Sequence, residues 1–498
     1  MKRQARSSCR SWARYNITIV CLAMLATWGQ PALAGSDGCQ ELREDVDARI
    51  AAIGRFDVRH SRLPMTPWLR SDRFLQDAML HALAAGTDPE PILAAMASHD
   101  RMATRRELPR TVEGFDPELE AQRQRLDDCR GHALAVLRQR LMHEPDFVDS
   151  WMTWQVPDAY RGWQRLIGGY FFARPFLRAG AERWRTQERD LQNTTARPAA
   201  VLRFEPPSED VLRSPVDVAL LLAAAVDAHP LGWPWPDDRD LDRLARRFAP
   251  LIESPSRAPA DRIGRLAGEG GLPTVRTDEP TVYFEPGLVR FGTHVLLQLS
   301  YTFWFPERVA SGPLDPYAGR LDGLVWRVTL GADGRPLVWD SIHACGCYYT
   351  VVIPEDRPYR VFNPSPHQDE DPLVLTGPRA EARIRLLASA GDHFLRWPEA
   401  DLAPATAAVD TAHADTEVLR YRIKPYAELL EPGHGAVPID RNGIIRGTSR
   451  LERLFLWPAG IKDPGAMRIN GRHAVAFLGR RHFDEAELID GLLVRIRE

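Results

Sequence analysis

The sequence predicts an α+β protein: a helical N-terminal region followed by a mainly antiparallel β domain. Three observations predict it. In the first half, apolar residues recur at helical spacing, as at Leu42, Val46 and Ile50, which lines one face of a helix. After Thr281 the period drops to two, most clearly over residues 294–305, as the alternating faces of a strand require. Between two further apolar runs, 321–330 and 336–343, stands Asp333-Gly334, a dipeptide suited to the left-handed backbone of a tight hairpin.

Taken in order, residues 1–34 have the three parts of a Sec signal peptide. Lys2, Arg3, Arg6, Arg10 and Arg14 form a positive head, residues 17–27 are apolar, and Ala32-Leu33-Ala34 fits a cleavage site. The apolar run is shorter than the roughly 20 residues a membrane span needs. Cys39 has no leucine where a lipobox requires one, and no twin-arginine pair occurs. The expectation is a periplasmic protein starting near Gly35, with no transmembrane anchor after cleavage.

Residues 35–205 then read as a helical domain. Ser36 or Asp37 caps a helix to Ile50, and residues 72–85 form another that stops at Gly86. Asp116-Pro117 opens a long helix to about Met142, and residues 160–192 carry one more, weakened by Gly168-Gly169 and Pro175. Residues 206–280 hold two helices, 208–228 and 237–252, and then a Pro/Gly/Arg-rich linker from 254. Residues 281–498 form the β-rich α+β domain. Shorter strands are expected at 360–362, 382–387, 418–423 and 474–478, and a closing helix at 484–493.

Composition narrows the partners. The whole-chain charge of −3 becomes −8 once the five basic residues of the leader are gone. A mildly acidic chain has no electrostatic reason to bind nucleic acid or an anionic membrane. Four cysteines lie beyond the leader: Cys39, Cys129, Cys345 and Cys347. An even number in an oxidising compartment favours disulfides, and their placement makes Cys39–Cys129 the natural pair.

No nucleophile elbow, zinc-protease helix, Walker loop, dinucleotide fingerprint or C-x-x-C occurs. What stands out is His343-Ala344-Cys345-Gly346-Cys347-Tyr348-Tyr349. In an extended chain His343, Cys345 and Cys347 share one face, and imidazole with two thiolates suits zinc or copper. Same-face neighbours are about 6.5 Å apart in a flat strand, so Gly346 must supply a bend. His294 or His367 is a candidate fourth ligand. A Cys345–Cys347 disulfide, or cysteines that simply pack, are the competing readings. A papain-like nucleophile at Cys345 fits poorly, because its motif is one residue short and follows strands.

Other features have plainer readings. The polar face of the 294–302 strand (His294, Gln298, Ser300, Thr302) is expected to meet solvent, with a cavity lining as the alternative. Arg480-Arg481-His482 and the acidic run 367–371 read as surface charge. The many tryptophans, Trp151, Trp154, Trp163, Trp233, Trp235 and Trp304 among them, read as core anchors more readily than as a glycan groove.

Trp68-Leu69-Arg70 with Asp72-Arg73-Phe74-Leu75, Trp304-Phe305-Pro306-Glu307-Arg308, Asp322-Gly323 and the 343–348 motif resemble a family of uncharacterised exported proteins of Gram-negative bacteria. The likeness runs over most of the mature chain. It implies export and a shared architecture, and brings no activity with it. The function expected is therefore a binding or structural envelope protein with a metal or thiol site at His343, Cys345 and Cys347. The alternative is a metal-dependent hydrolase of envelope material, which needs three convergent ligands and an open position for water.

Overall fold

Residue chemistry at the ends of the early helices sets their limits, and a computed structural model shows how. It describes residues 37–53, 56–108, 117–192, 200–207, 212, 214–363, 369–380, 384–396, 416–431 and 435–496. The expected leader, the Asp116 cap and His367 lie outside these.

The N-terminal part contains α1 (Asp37–Ile53), β1 (Ser61–Leu63), β2 (Thr66–Ser71), α2 (Arg73–Ala85), α3 (Glu90–Glu107), α4 (Pro117–His143), α5 (Pro145–Thr153), α6 (Gly162–Ile167) and α7 (Tyr170–Gln192). The middle holds β3 (Leu202–Glu205), α8 (Pro215–Ala228), α9 (Asp238–Phe248), β4 (Leu251–Ser254), β5 (Arg265–Glu269) and β6 (Leu272–Arg276). Then come β7 (Thr281–Phe291), β8 (His294–Arg308), β9 (Gly319–Leu330), β10 (Pro336–His343), β11 (Thr350–Pro354), β12 (Tyr359–Val361) and β13 (Leu373–Gly377). The chain ends through β14 (Arg385–Ala388), β15 (Leu395–Arg396), β16 (Glu417–Arg420), β17 (Arg422–Pro425), α10 (Arg453–Leu456) and β18 (Leu493–Arg495).

α2 begins where the Asp72 carboxylate accepts the Leu75 N–H and ends where Gly86 turns left-handed, the expected cap at each end. α2 to α5 and the β1–β2 hairpin bury Leu69, Phe74, Leu93, Met96, Leu137 and Trp151 in one core. A disulfide joins Cys39 on α1 to Cys129 on α4.

The large sheet runs β13-β11-β10-β9-β8-β7-β17, and a second runs β15-β14-β4-β3-β16. One face of the large sheet packs on the second sheet, α8 and α9 through Leu299, Tyr301, Trp326, Trp339, Phe204 and Leu244. Its other face is covered by the C-terminal segment through Phe483, Leu488, Ile489 and Leu492. With both faces covered, β9 and β10 are buried almost without a break, as doubly covered strands are.

Most strand pairs are antiparallel, as expected, but the two larger sheets are mixed. β11–β13, β7–β17, β4–β14 and β3–β16 pair in parallel. Partners far apart in the chain have no hairpin to force the antiparallel sense. The 254–280 segment carries the β5–β6 hairpin, turned by left-handed Gly270 and Gly271, so its glycines mark turns in folded structure. Residues 484–493 form turns in place of the expected helix, because Leu488, Ile489 and Leu492 are spent on the sheet. Residues 474–478 form no strand; only an Ala474–His482 bridge occurs there. The polar face of β8 does not meet solvent as expected: Gln298 and Thr302 are buried, and Gln298 donates to Thr329 Oγ1 at 3.0 Å. Arg480 and His482 pair with Asp158, which fastens the end of the chain to the residues before α6.

Candidate functional site

β10 ends at His343, and the chain turns through residues 344–349 into β11. Two backbone bonds close the turn, His343 N–H to Cys347 O at 3.0 Å and Gly346 N–H to His343 O at 2.7 Å. Gly346 has φ +94°, and a Cβ there would sit 2.4 Å from the Ala474 carbonyl oxygen; only glycine fits. Behind the turn, Gly323 on β9 leaves room for the Trp304 ring, which a Cβ would meet at 2.5 Å.

Asp322, next to Gly323, is fully buried and gathers charge. Its Oδ2 lies 2.9 Å from His393 Nδ1, its Oδ1 3.2 Å from Arg450 Nη2 and 3.7 Å from His343 Nδ1. The far nitrogen of His393 approaches Asp261 at 3.3 Å, and its ring stacks on Phe305 with centroids 3.8 Å apart. Burial alone would discharge His393, but the Asp261 and Asp322 carboxylates outweigh it and hold its pKa above the ordinary value. His343 goes the other way: burial outweighs Asp322 and keeps its imidazole neutral.

The two sulfurs lie on the other side of the turn. The Cys347 N–H donates to Cys345 Sγ at 3.4 Å. A hydrogen bond from the Cys347 thiol draws Cys345 below the ordinary thiol range against the effect of burial. The same bond, with burial, pushes Cys347 well up. Arg450 and Arg468 act electrostatically on the sulfurs, and the Arg468 Nε donates to the Cys345 carbonyl at 3.3 Å. Glu452 is close by, and burial pushes its carboxyl up to about 7.

The backbone around this cluster is strained. Among the described residues Leu321, Tyr348, His393 and Asp463 are the non-glycine residues with positive φ, and the first three belong to the cluster. Each costs of the order of 1 kcal/mol and persists only where surroundings impose it. Beside the sulfurs is a cavity of about 10 Å³, lined by residues 345–348 and 474–477 among others, room for about one water.

The structure therefore separates part of the predicted ligand set. Cys345 and Cys347 stay together as free thiols. The His343 ring turns toward Asp322, and the three donor atoms do not come within 4.8 Å of one another; the strand ends at His343, so the shared-face rule stops there. His294 is exposed and pairs with Phe291, whereas His343 lies across from Leu324 and Phe303. Nine residues of β8 separate the two levels, roughly 30 Å, so His294 cannot join the thiols. His393, Arg450, Glu452 and Asp261 carried no sequence signal. Asp322 did, as part of the resemblance.

Comparison with protein-family models, with curated proteins and with solved structures gave no match.

Proposed function

We propose that this is an exported envelope protein whose Cys345–Cys347 pair captures a soft metal ion, copper(I) above all. The observation that carries the reading is the hydrogen-bonded thiol pair, one member already drawn toward thiolate, beside space for a single small group. Thiolates select copper(I), and two sulfurs suffice for a linear ion, whereas a closed zinc site needs four donors. Arg450 and Arg468 offset the negative charge of a bis-thiolate. His343, with Asp322 and His393, serves as the rigid floor of the turn.

The test is titration of reduced mature protein with copper(I) under a competing chelator, with thiols counted by mass. One copper per chain, lost in Cys345→Ser, is expected. Copper retained by a Cys345→Ser/Cys347→Ser chain sinks the reading. Protein from the periplasm that is lighter by two hydrogens and blocks copper would replace it with a disulfide.

The hydrolase alternative receives no support at this turn, since three donors do not meet there and the adjoining cavity is too small for a polymer.

A further inference from the structure

A second cavity, of about 490 Å³, lies where the β1–β2 hairpin, α2 and α3 face the large sheet. That volume is in the range of small-molecule sites. Gln298 and Ser300 of β8 line it, with Trp233, Asn470, His473 and Asp484 on other walls. So the polar face of β8 meets a cavity.

On the helical wall stand His60, Asp72 and His99, each offering one donor atom, all within 4.8 Å of one another. Three local structures place them. His60 precedes β1, Asp72 caps α2, and His99 sits on α3. Asp72 spends only one oxygen on its cap, Oδ1 accepting Leu75 N–H at 2.7 Å. Its Oδ2 faces His60 Nε2 at 4.0 Å. The two imidazoles stack with centroids 3.8 Å apart and planes 22° apart. Nδ1 of His60 and Nδ1 of His99 are both buried with no hydrogen-bond partner, which is costly for a polar atom.

The geometry points to a mononuclear zinc-class site held by His60, Asp72 and His99, with its fourth position open to the 490 Å³ cavity. Donors about 2.1 Å from a tetrahedral ion stand about 3.4 Å apart, so closing this set takes a shift of about 1 Å and a rotation of one imidazole out of the stack, since an ion lies in the plane of each ring that binds it. Two nitrogens and a carboxylate suit zinc better than copper(I), which prefers sulfur. Three protein ligands with an open position are the pattern of a zinc that acts on a ligand. The fourth ligand is an oxygen donor, water or the carboxylate or phosphate of a small molecule in the cavity. Among the described residues the other set of this kind, Asp77 with His81 and Glu487, is largely exposed, and Arg290 holds Asp77 at 2.6 Å.

Cobalt(II) distinguishes this site from the thiols. Full-length mature Cys345→Ser/Cys347→Ser protein, freed of metal, is titrated with cobalt(II) and read by absorption. The expected result is one ion per chain with ligand-field bands and no sulfur-to-cobalt charge transfer, displaced by zinc. His60→Gln and His99→Gln should each weaken binding by at least roughly tenfold. Asp72→Asn should do so with the α2 cap intact, since asparagine caps as well as aspartate, which guards against variants that fail to fold. No binding in the thiol-free protein, or binding undiminished in folded Asp72→Asn and His99→Gln, overturns the proposal.

Discussion

At the scale of single residues, the site combines groups that burial pulls in opposite directions. Glu452 is the clearest case, with a carboxyl raised to about 7 because burial outweighs Arg450 and Arg308. Its unfolded value is near 4.5. The folded state therefore holds the proton more tightly, and this stability is complete below pH 4.5 and lost as the pH rises through 7. The swing is about 3 kcal/mol. Denaturant midpoints of the wild type should fall between pH 5 and pH 8, and those of Glu452→Gln should fall much less. Identical pH profiles would mean that Glu452 titrates normally. His393 works in the same direction, its raised pKa favouring the folded state at low pH.

At the scale of elements, what the sequence made legible was local. The α2 caps, the 294–305 strand and the Asp333-Gly334 turn could be read because each depends on a few neighbouring residues. α3 and α5 were not anticipated, although Pro145 stands at the first position of α5, where proline is at home. In the site, the thiol pair was legible as a motif. Arg450 and Glu452 beside it, and Asp261 and His393 beside Asp322, were not, because they come from separate segments with no common spacing. Asp333-Gly334 also shows what a turn signal leaves out. Gly334 has φ +72°, and a Cβ there would lie 2.1 Å from the Pro215 carbonyl oxygen and 2.6 Å from Ala219 N. The turn thus abuts the start of α8, and glycine is required twice over. Gly334→Ala should cost about 2 kcal/mol or more, beyond the roughly 1 kcal/mol of left-handed strain alone. Chemical denaturation measures it, and a loss under 1 kcal/mol would show that α8 yields easily.

At the scale of the whole molecule, one covalent link spans the helical part. Cys39 and Cys129 are 90 residues apart, and closing so long a loop restricts the unfolded chain by about 4.6 kcal/mol. Cys39→Ser/Cys129→Ser should lower stability by that order in guanidinium unfolding while leaving copper(I) binding at Cys345–Cys347 intact. Loss of copper binding in a folded double variant would place the two cysteine pairs in one system.

β16 and β17 are separated by Tyr421 alone, yet they belong to different sheets: β16 pairs with β3, and β17 with β7. A stretch of nine residues therefore completes an edge of both sheets at once. Its partners, Leu202–Glu205 and Thr281–Phe291, leave the ribosome long before it does. Until residues 417–425 emerge, each sheet lacks one edge strand. Pairings of such high sequence separation form slowly, since loop closure precedes any gain in contacts. One short segment thus arrives late to cover two edges that nothing earlier in the sheets can pair.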